Sequence, residues 1–154
     1  MAQFSFIPSV ETSELAEDVR ELFEELAASL PPDRRAASGE CHPTLDVLET
    51  DQTVEVIVDV SGVSPDAIRV LFRSGVLVVA GEKAPVPAAG PRTFHLVERE
   101  FGRFARAVRV TGAFDVAASR ATLQDGELTI VLPRKIDERG RPHRVRITTG
   151  GGEA

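Results

Sequence analysis

Residues 121–132 read Ala-Thr-Leu-Gln-Asp-Gly-Glu-Leu-Thr-Ile-Val-Leu, which is two apolar runs joined by Asp125-Gly126. An Asp-Gly pair readily adopts the positive φ angles that a two-residue hairpin turn requires. Ser74-Gly75 likewise stands between two apolar runs. The sequence therefore predicts tight antiparallel hairpins at both places.

Further strands are predicted around these hairpins. Residues 53–59 and 68–73 alternate apolar and polar side chains with a period of two, which is typical of half-buried strands. More apolar runs lie at residues 76–80, 104–110 and 128–132. Because these strands are short and no helical pattern separates them, they favour an all-β fold, an immunoglobulin-like antiparallel β-sandwich, over a parallel sheet.

Residues 1–42 are predicted to form an N-terminal arm with one short amphipathic helix. Ser13 is predicted to cap the helix, Glu14 and Glu17 suit the positive end of its dipole, and Pro31-Pro32 is predicted to end it. One stripe gathers the apolar side chains Leu15, Val19, Leu22, Phe23 and Leu26. Two alternatives stay open for this stripe: it packs only on its own sandwich, or it also serves as a surface that binds other proteins.

The sandwich is expected to cover residues 43–134, followed by a flexible C-terminal tail at residues 135–154. The tail is polar and too poor in apolar side chains to fold alone. Its exception is Val145-Arg146-Ile147, in which two β-branched side chains point the same way on an extended chain.

Composition and charge exclude several classes of function. The net charge is −6, and all of it is concentrated between Glu11 and Glu25. A neutral body with an acidic arm offers no electrostatic surface for nucleic acid or an anionic membrane. The chain has no long apolar stretch, no signal-peptide pattern and a single cysteine, Cys41, so a cytoplasmic location is expected.

The chain offers little to catalysis. His42, His95 and His143 are far apart in sequence and have no metal-ligand spacing, and Cys41 lies in a predicted linker. Neither the phosphate-binding loop of nucleotide hydrolases nor a Gly-Xaa-Ser-Xaa-Gly nucleophile motif occurs. The expectation is a protein that is not an enzyme and needs no cofactor or metal.

Several segments together resemble the small heat-shock proteins, the α-crystallin domain family, in family order. They are residues 46–50 (Asp-Val-Leu-Glu-Thr), 77–83 (Leu-Val-Val-Ala-Gly-Glu-Lys), 98–106 (Glu-Arg-Glu-Phe-Gly-Arg-Phe-Ala-Arg), 121–128 and Leu132-Pro133. Ser61-Gly62 and Val110-Thr111 depart from the family pattern at positions without a binding role.

This resemblance implies roles for residues of the tail, the sandwich and the excursion at residues 83–96. Val145 and Ile147 would be an oligomer anchor that docks on a neighbouring subunit. The groove that receives it would be lined by Ile68, Val70, Phe72, Ala121 and Leu123. A dimer contact would use Arg106 and a short strand on a loop exchanged with a partner, comprising Thr93, Phe94, His95 and Leu96.

The function implied by the resemblance is that of an ATP-independent holdase chaperone. Such a protein binds unfolding client proteins under heat or other stress and prevents their aggregation, as a homodimer-based higher oligomer. Hand-over of clients to ATP-driven chaperones is a further expectation. The alternative is a monomeric co-chaperone or adaptor β-sandwich that serves an ATP-driven chaperone.

Overall fold

The computed structural model describes residues 9–135 and 142–151. The described part has one α-helix, α1, at Ser9–Ser29. The strands are β1 Leu45–Glu49, β2 Thr53–Asp59, β3 Ile68–Arg73, β4 Val76–Lys83, β5 Gly102–Arg109, β6 Arg120–Gln124, β7 Glu127–Pro133, β8 His143–Arg144 and β9 Ile147–Thr149. Short 3₁₀ turns lie at Pro32–Arg34, Pro65–Ala67 and Val116–Ala118.

Two sheets form the sandwich. One has the strand order β1-β2-β7-β6-β9 and the other has the order β5-β4-β3-β8. The pairings among β1 to β8 are antiparallel, whereas β9, from the tail, lies parallel to β6. The prediction of an antiparallel β-sandwich with one N-terminal helix is confirmed.

Both predicted hairpin turns are present. Asp125 and Gly126 have φ angles of 51° and 80° between β6 and β7, and Ser74 and Gly75 have φ angles of 50° and 78° between β3 and β4. These left-handed conformations match the twist of the flanking strands, which is why Asp-Gly and Ser-Gly suit the two positions.

The core lies between the sheets and is aliphatic. On the adjacent strands β2 and β7, cross-strand partners are fully buried in pairs: Val54 with Leu132, Val56 with Ile130, and Val58 with Leu128. The opposite sheet adds the inward side chains Ile68, Val70, Phe72, Leu77 and Val79. The period of two seen in the sequence therefore places one face of each strand in the core.

Helix α1 covers the other side of the β3–β4 hairpin. Leu71, Val78 and Ala80 point away from the core but are buried in a second cluster together with Leu22. The helix has begun by Ser9, so the prediction that Ser13 caps it is wrong: Ser13 lies inside the helix. The predicted stop is confirmed, since the helix ends just before Pro31-Pro32, where prolines cannot continue it.

The segment between helix and sandwich is tied to the body. The guanidinium of Arg34 lies 2.6 Å from a carboxylate oxygen of Asp66, and the amide of Ala36 donates to the buried carboxylate of Glu82 at 3.2 Å. Arg103 of β5 pairs with the same Glu82 carboxylate at 3.1 Å. These contacts fix the position from which α1 reaches the sheet.

The loop after β4 has no strand near Thr93–Leu96 in the single chain. The physical reason is that no strand of the described residues lies beside this segment to share backbone hydrogen bonds. The expected strand exchanged with a partner stays a prediction.

Candidate functional site: the anchor groove and the covered sheet face

One edge of each sheet receives the C-terminal tail. β8 extends the edge at β3, with Arg144 opposite Leu71. β9 extends the edge at β6, with Ile147 opposite Ala121. The tail that was predicted to be flexible therefore crosses from one sheet to the other in its described part, and both ends of the crossing are strand-paired.

Backbone hydrogen bonds flank the anchor segment Val145-Arg146-Ile147. The amide of Val145 donates to the carbonyl oxygen of Val70 at 3.3 Å, and the amide of Gly150 donates to that of Leu123 at 3.0 Å. Each such bond contributes a net of only about 0.5 to 1.5 kcal/mol, because the free tail is hydrogen-bonded to water instead. The apolar side chains must supply the rest.

The anchor side chains lie in the predicted groove. Val145 is 7% exposed and joins the core, and Ile147 is partly buried against the same cluster. All five predicted groove residues belong to this cluster or pack on it: Ile68, Val70, Phe72, Ala121 and Leu123. The structure thus brings together the residues that the sequence analysis assigned to anchor and groove.

In this single chain the groove holds the chain's own anchor. Docking of the anchor on a neighbouring subunit stays a prediction. Only residues 134–142 separate the end of β7 from β8, and nine extended residues reach about 30 Å, which lets the tail return to its own sandwich. A solvent-open pocket of about 350 Å³ lies beside the seated anchor and is lined by residues of β3 and of the tail.

Four residues of the apolar stripe of α1 lie in or against the cluster on the outer face of β3 and β4, whereas Leu26 belongs to the core cluster of the sandwich. Leu22 and Leu26 are fully buried, whereas Leu15, Val19 and Phe23 are partly buried. Leu22 packs with Leu71, Val78 and Ala80, so the two apolar surfaces cover each other. The structure shows the stripe packed on the chain's own sandwich, which both alternatives left open by the sequence allow for the resting state.

Polar contacts surround this apolar contact. The buried carboxylate of Asp18 lies 2.9 Å from the guanidinium of Arg73 on β3. The guanidinium of Arg103 stacks over the ring of Phe23, 5.2 Å from its centroid. These contacts orient the helix at both ends of the covered face.

Glu25 of α1 contacts the sheet and the tail together. Arg144 donates two hydrogen bonds to its carboxylate, at 2.6 Å and 2.5 Å, and Arg69 of β3 lies 3.7 Å away. The hydrogen bonds from Arg144 are the main cause that lowers the pKa of Glu25, and they raise the pKa of Arg144 in return. Both side chains remain ionised at neutral pH.

Sequence reasoning missed Glu25 and Arg144. They lie 119 positions apart, and each on its own is an ordinary surface charge of an acidic helix or a basic tail. The outer-face residues Leu71, Val78 and Ala80 did carry a usable signal, because apolar side chains on both faces of a strand indicate a sheet covered on both sides.

The predicted dimer contact is exposed in part. Phe94 is 66% exposed and Leu96 is 74% exposed, and Thr93 and His95 are also exposed. Arg106 donates a hydrogen bond to the carbonyl oxygen of Pro43 at 2.7 Å, which holds the start of the sandwich against β5. The role of these residues between subunits stays a prediction.

The structure adds no catalytic arrangement within the described residues. Burial raises the pKa of the Cys41 thiol, which makes it a poorer nucleophile, and His42 and His95 are exposed. Among residues 9–135 and 142–151 no group of His, Cys, Asp or Glu is arranged to hold a metal ion. In the same residues, no helix combines the length and apolar character needed to cross a membrane.

The family model described as Hsp20/alpha crystallin family matches residues 46–148. Heat shock protein 16 of Schizosaccharomyces pombe is 30% identical over 75% of this chain and 82% of its own length. The 21.9 kDa heat shock protein of Oryza sativa is 39% identical over 70% of this chain, which spans 56% of that relative.

Solved structures with the same fold are similar over the sandwich. Heat shock protein 16.0 from Schizosaccharomyces pombe aligns with a TM-score of 0.57 and 28% identity, over 66% of this chain and 94% of that one. A small heat-shock protein from Xylella fastidiosa, whose description reports a distinct high order structure, aligns with a TM-score of 0.56 and 25% identity, over 66% and 93%.

Proposed function

Because this chain belongs to the Hsp20/alpha crystallin family, the small heat-shock proteins, we propose that it is an ATP-independent holdase chaperone that binds unfolding proteins and prevents their aggregation. The observation that carries the proposal is the apolar anchor Val145-Arg146-Ile147 at the end of the chain, seated in a groove between two sheet edges. Docking there requires no nucleotide and no chemical step.

The energetics of the anchor suit reversible docking. Burying an aliphatic side chain contributes about 1.5 to 3 kcal/mol, and Ile147 is only partly buried. Ordering the tail residues costs about 1 to 2 kcal/mol each in backbone entropy, which offsets much of this gain. A single docked tail is therefore held weakly enough to leave the groove and return.

Exchange of tails between chains follows from weak docking. A groove vacated by its own tail offers the same pairing edges to the tail of a second copy. Once two copies are linked, each further contact forms within the assembly, which multiplies weak affinities. The high order structure reported for the Xylella fastidiosa protein supports the proposal that this chain also assembles.

The client surface that we propose is the pair of covered apolar faces. The stripe of α1 and the outer face formed by Leu71, Val78 and Ala80 are buried against each other at rest. Lifting the helix exposes both, and such a patch binds the apolar segments of unfolding proteins. The resting contact keeps this surface out of water when no client is present.

The dimer contact is proposed to use the exposed loop at residues 83–96. Phe94 and Leu96 are large apolar side chains left in solvent by the single chain. Pairing of residues 93–96 with a strand edge of a second copy would bury them and supply the backbone partners that the segment lacks. Arg106 on β5 is proposed to contribute to the same contact.

A disulfide experiment tests exchange of the tail directly. Thr122 and Thr148 are register partners on β6 and β9. In a Cys41→Ser background, Thr122→Cys protein is mixed with Thr148→Cys protein under mild oxidation and analysed on a non-reducing gel. A covalent heterodimer is expected; its absence, while the double variant Thr122→Cys/Thr148→Cys closes within one chain, would show that the tail does not exchange.

The client surface is tested with the double variant Leu22→Ser/Phe23→Ser. Light scattering of a heat-aggregating client, without ATP, is expected to show suppression by the wild-type chain and loss of suppression by the variant. Glu21→Ser, an exposed change on the same helix, is the matched control and should protect like the wild type. Equal protection by the double variant would reject α1 as part of the client surface.

A second function is favoured by one observation, the docking of the tail within its own chain. A monomeric adaptor for an ATP-driven chaperone would use such a seated tail simply to close the sandwich edge. The two functions predict different masses. Multi-angle light scattering of the purified chain, with Val145→Gly/Ile147→Gly alongside, should give an oligomer that the variant reduces; a monomer in both would favour the adaptor.

A further inference from the structure

The groove between β3 and β6 accounts for the apolar anchor but not for the residue directly before it. Arg144 precedes Val145, and its guanidinium leaves the groove and reaches the N-terminal helix. There it donates two hydrogen bonds to the Glu25 carboxylate, at 2.6 Å and 2.5 Å. A two-bond guanidinium–carboxylate contact is geometrically specific in a way that a single long-range charge contact is not.

Three consecutive residues of β3 connect this contact to both docking events. Arg69 lies 3.7 Å from Glu25, the Val70 carbonyl oxygen accepts the Val145 amide at 3.3 Å, and Leu71 packs in the cluster of Leu22. Helix α1 and the tail thus both pack on β3, and the ion pair between Glu25 and Arg144 links the helix to the tail.

We infer that the anchor site is a composite site with three walls. Strands β3 and β6 form two of them and hold the Val-Xaa-Ile anchor. The third wall is α1, whose Glu25 carboxylate recognises a basic residue immediately before the anchor. The ligand is an extended peptide of the form Arg-Val-Xaa-Ile, supplied by this chain's own tail. A tail with a neutral or acidic residue in place of Arg144 fits the groove but not the third wall.

A consequence of the composite site is that helix docking and tail docking stabilise each other. When the tail leaves the groove, α1 loses its contact with Arg144. When α1 lifts off the sheet, Arg144 loses the Glu25 carboxylate. Arg69 still faces Glu25 after the tail has left, and the Glu25 carboxylate therefore keeps a cationic neighbour. The coupling is therefore modest and reversible, and it is reciprocal because it is a difference in binding free energy.

This inference rests on the proposed function only for its biological use, since it would link the assembly state of the tails to exposure of the client surface. The coupling itself is a property of the resting chain. It is measured with no client and no heat, so a chain without chaperone activity could still show it.

Hydrogen exchange of the full-length protein, followed by mass spectrometry, tests the coupling. The variants are Arg144→Gln on the tail and Glu25→Gln on the helix, and the matched control is Arg146→Gln, an exposed arginine two positions further along the same tail. The two readouts are the exchange rates of peptides covering residues 13–29 and residues 143–150.

Both single variants are expected to accelerate exchange in both peptides by about two- to fivefold, the size of a half-exposed ion pair. The double variant Glu25→Gln/Arg144→Gln should be no faster than Glu25→Gln alone, because Glu25→Gln already removes the ion pairs with both Arg144 and Arg69. The charge-exchanged variant Glu25→Arg/Arg144→Glu should slow exchange again relative to Glu25→Arg alone. The control should match the wild type.

Two results would overturn the inference. In one, Arg144→Gln and Arg146→Gln give the same exchange rates, which would mean that the Glu25–Arg144 contact contributes no measurable free energy to docking. In the other, Glu25→Gln accelerates exchange of the helix but leaves the tail unchanged, which would show that the two segments dock independently. A thermal melt of each variant shows whether the sandwich itself is intact.

Discussion

The paired strands β2 and β7 and the two end segments, α1 and the tail, are buried in different ways. Between β2 and β7, three alternate cross-strand pairs of aliphatic side chains are fully buried. The helix buries Leu22 and Leu26 fully but leaves the rest of its stripe partly exposed, and in the described part of the tail Val145 is buried while Ile147 is partly buried. Strands β2 and β7 contribute six buried side chains to the core cluster, whereas the described parts of α1 and of the tail contribute one each, Leu26 and Val145.

This difference separates two levels of stability in one chain. Local opening of a segment with few buried contacts costs less free energy than global unfolding. A holding chaperone needs this separation, because its apolar surfaces must be exposed while the sandwich that carries them stays folded. The predictions below test the separation, starting with the core.

Ile130→Ala is expected to have the largest effect. Ile130 is fully buried and pairs with Val56 across β2 and β7, so the truncation leaves a cavity that close-packed neighbours fill only in part. The free energy of global unfolding should fall by about 2 to 5 kcal/mol, measured by urea denaturation. Val131→Ala on the other face of β7 is the control, and an equal loss in both variants would contradict the core assignment.

Leu22→Ala is expected to act locally. It should lower the free energy of helix opening by about 2 kcal/mol, which accelerates exchange of helix amides about thirtyfold. The urea midpoint of the sandwich should change far less, because Leu22 packs on the outer face of β3 and β4 and not between the sheets. Glu21→Ala is the matched control. A full loss of sandwich stability would show that helix and core unfold as one unit.

The fold could be predicted from sequence because its signals are local. The Asp125-Gly126 turn and the alternation in residues 53–59 each involve only neighbouring positions, and both hairpins formed as expected. The anchor and its groove came from family resemblance, and the structure brings those residues together. Their roles between subunits remain predictions.

The features that sequence reasoning missed depend on contacts between distant parts of the chain. Glu25 and Arg144 acquire their meaning only after the sandwich brings the two ends of the chain to the same edge. The helix start was placed too late because Ser13 has the chemistry of a cap, although the helix continues before it. A cap residue indicates where a helix is able to begin, and the residues before it also decide the outcome.

Acid is expected to produce the smallest effect. It should weaken the ion pair between Glu25 of the helix and Arg144 of the tail while the sandwich core stays folded. The Arg144 guanidinium, with Arg69 beside it, holds the pKa of Glu25 below its ordinary value of 4.5. A lowered pKa in the folded state means that the contact stabilises the docked state above about pH 4.5 and that this stabilisation is lost as the pH falls through the folded pKa. Hydrogen exchange of the tail, corrected for the intrinsic effect of pH, should be flat from pH 7 to about pH 5 and then rise.

The Asp66 carboxyl, whose pKa is lowered chiefly by the hydrogen bond from Arg34, titrates in the same direction, so the informative quantity is the difference between the wild type and Glu25→Gln. That difference should shrink in acid; parallel profiles would mean that ionisation of Glu25 does not hold the tail.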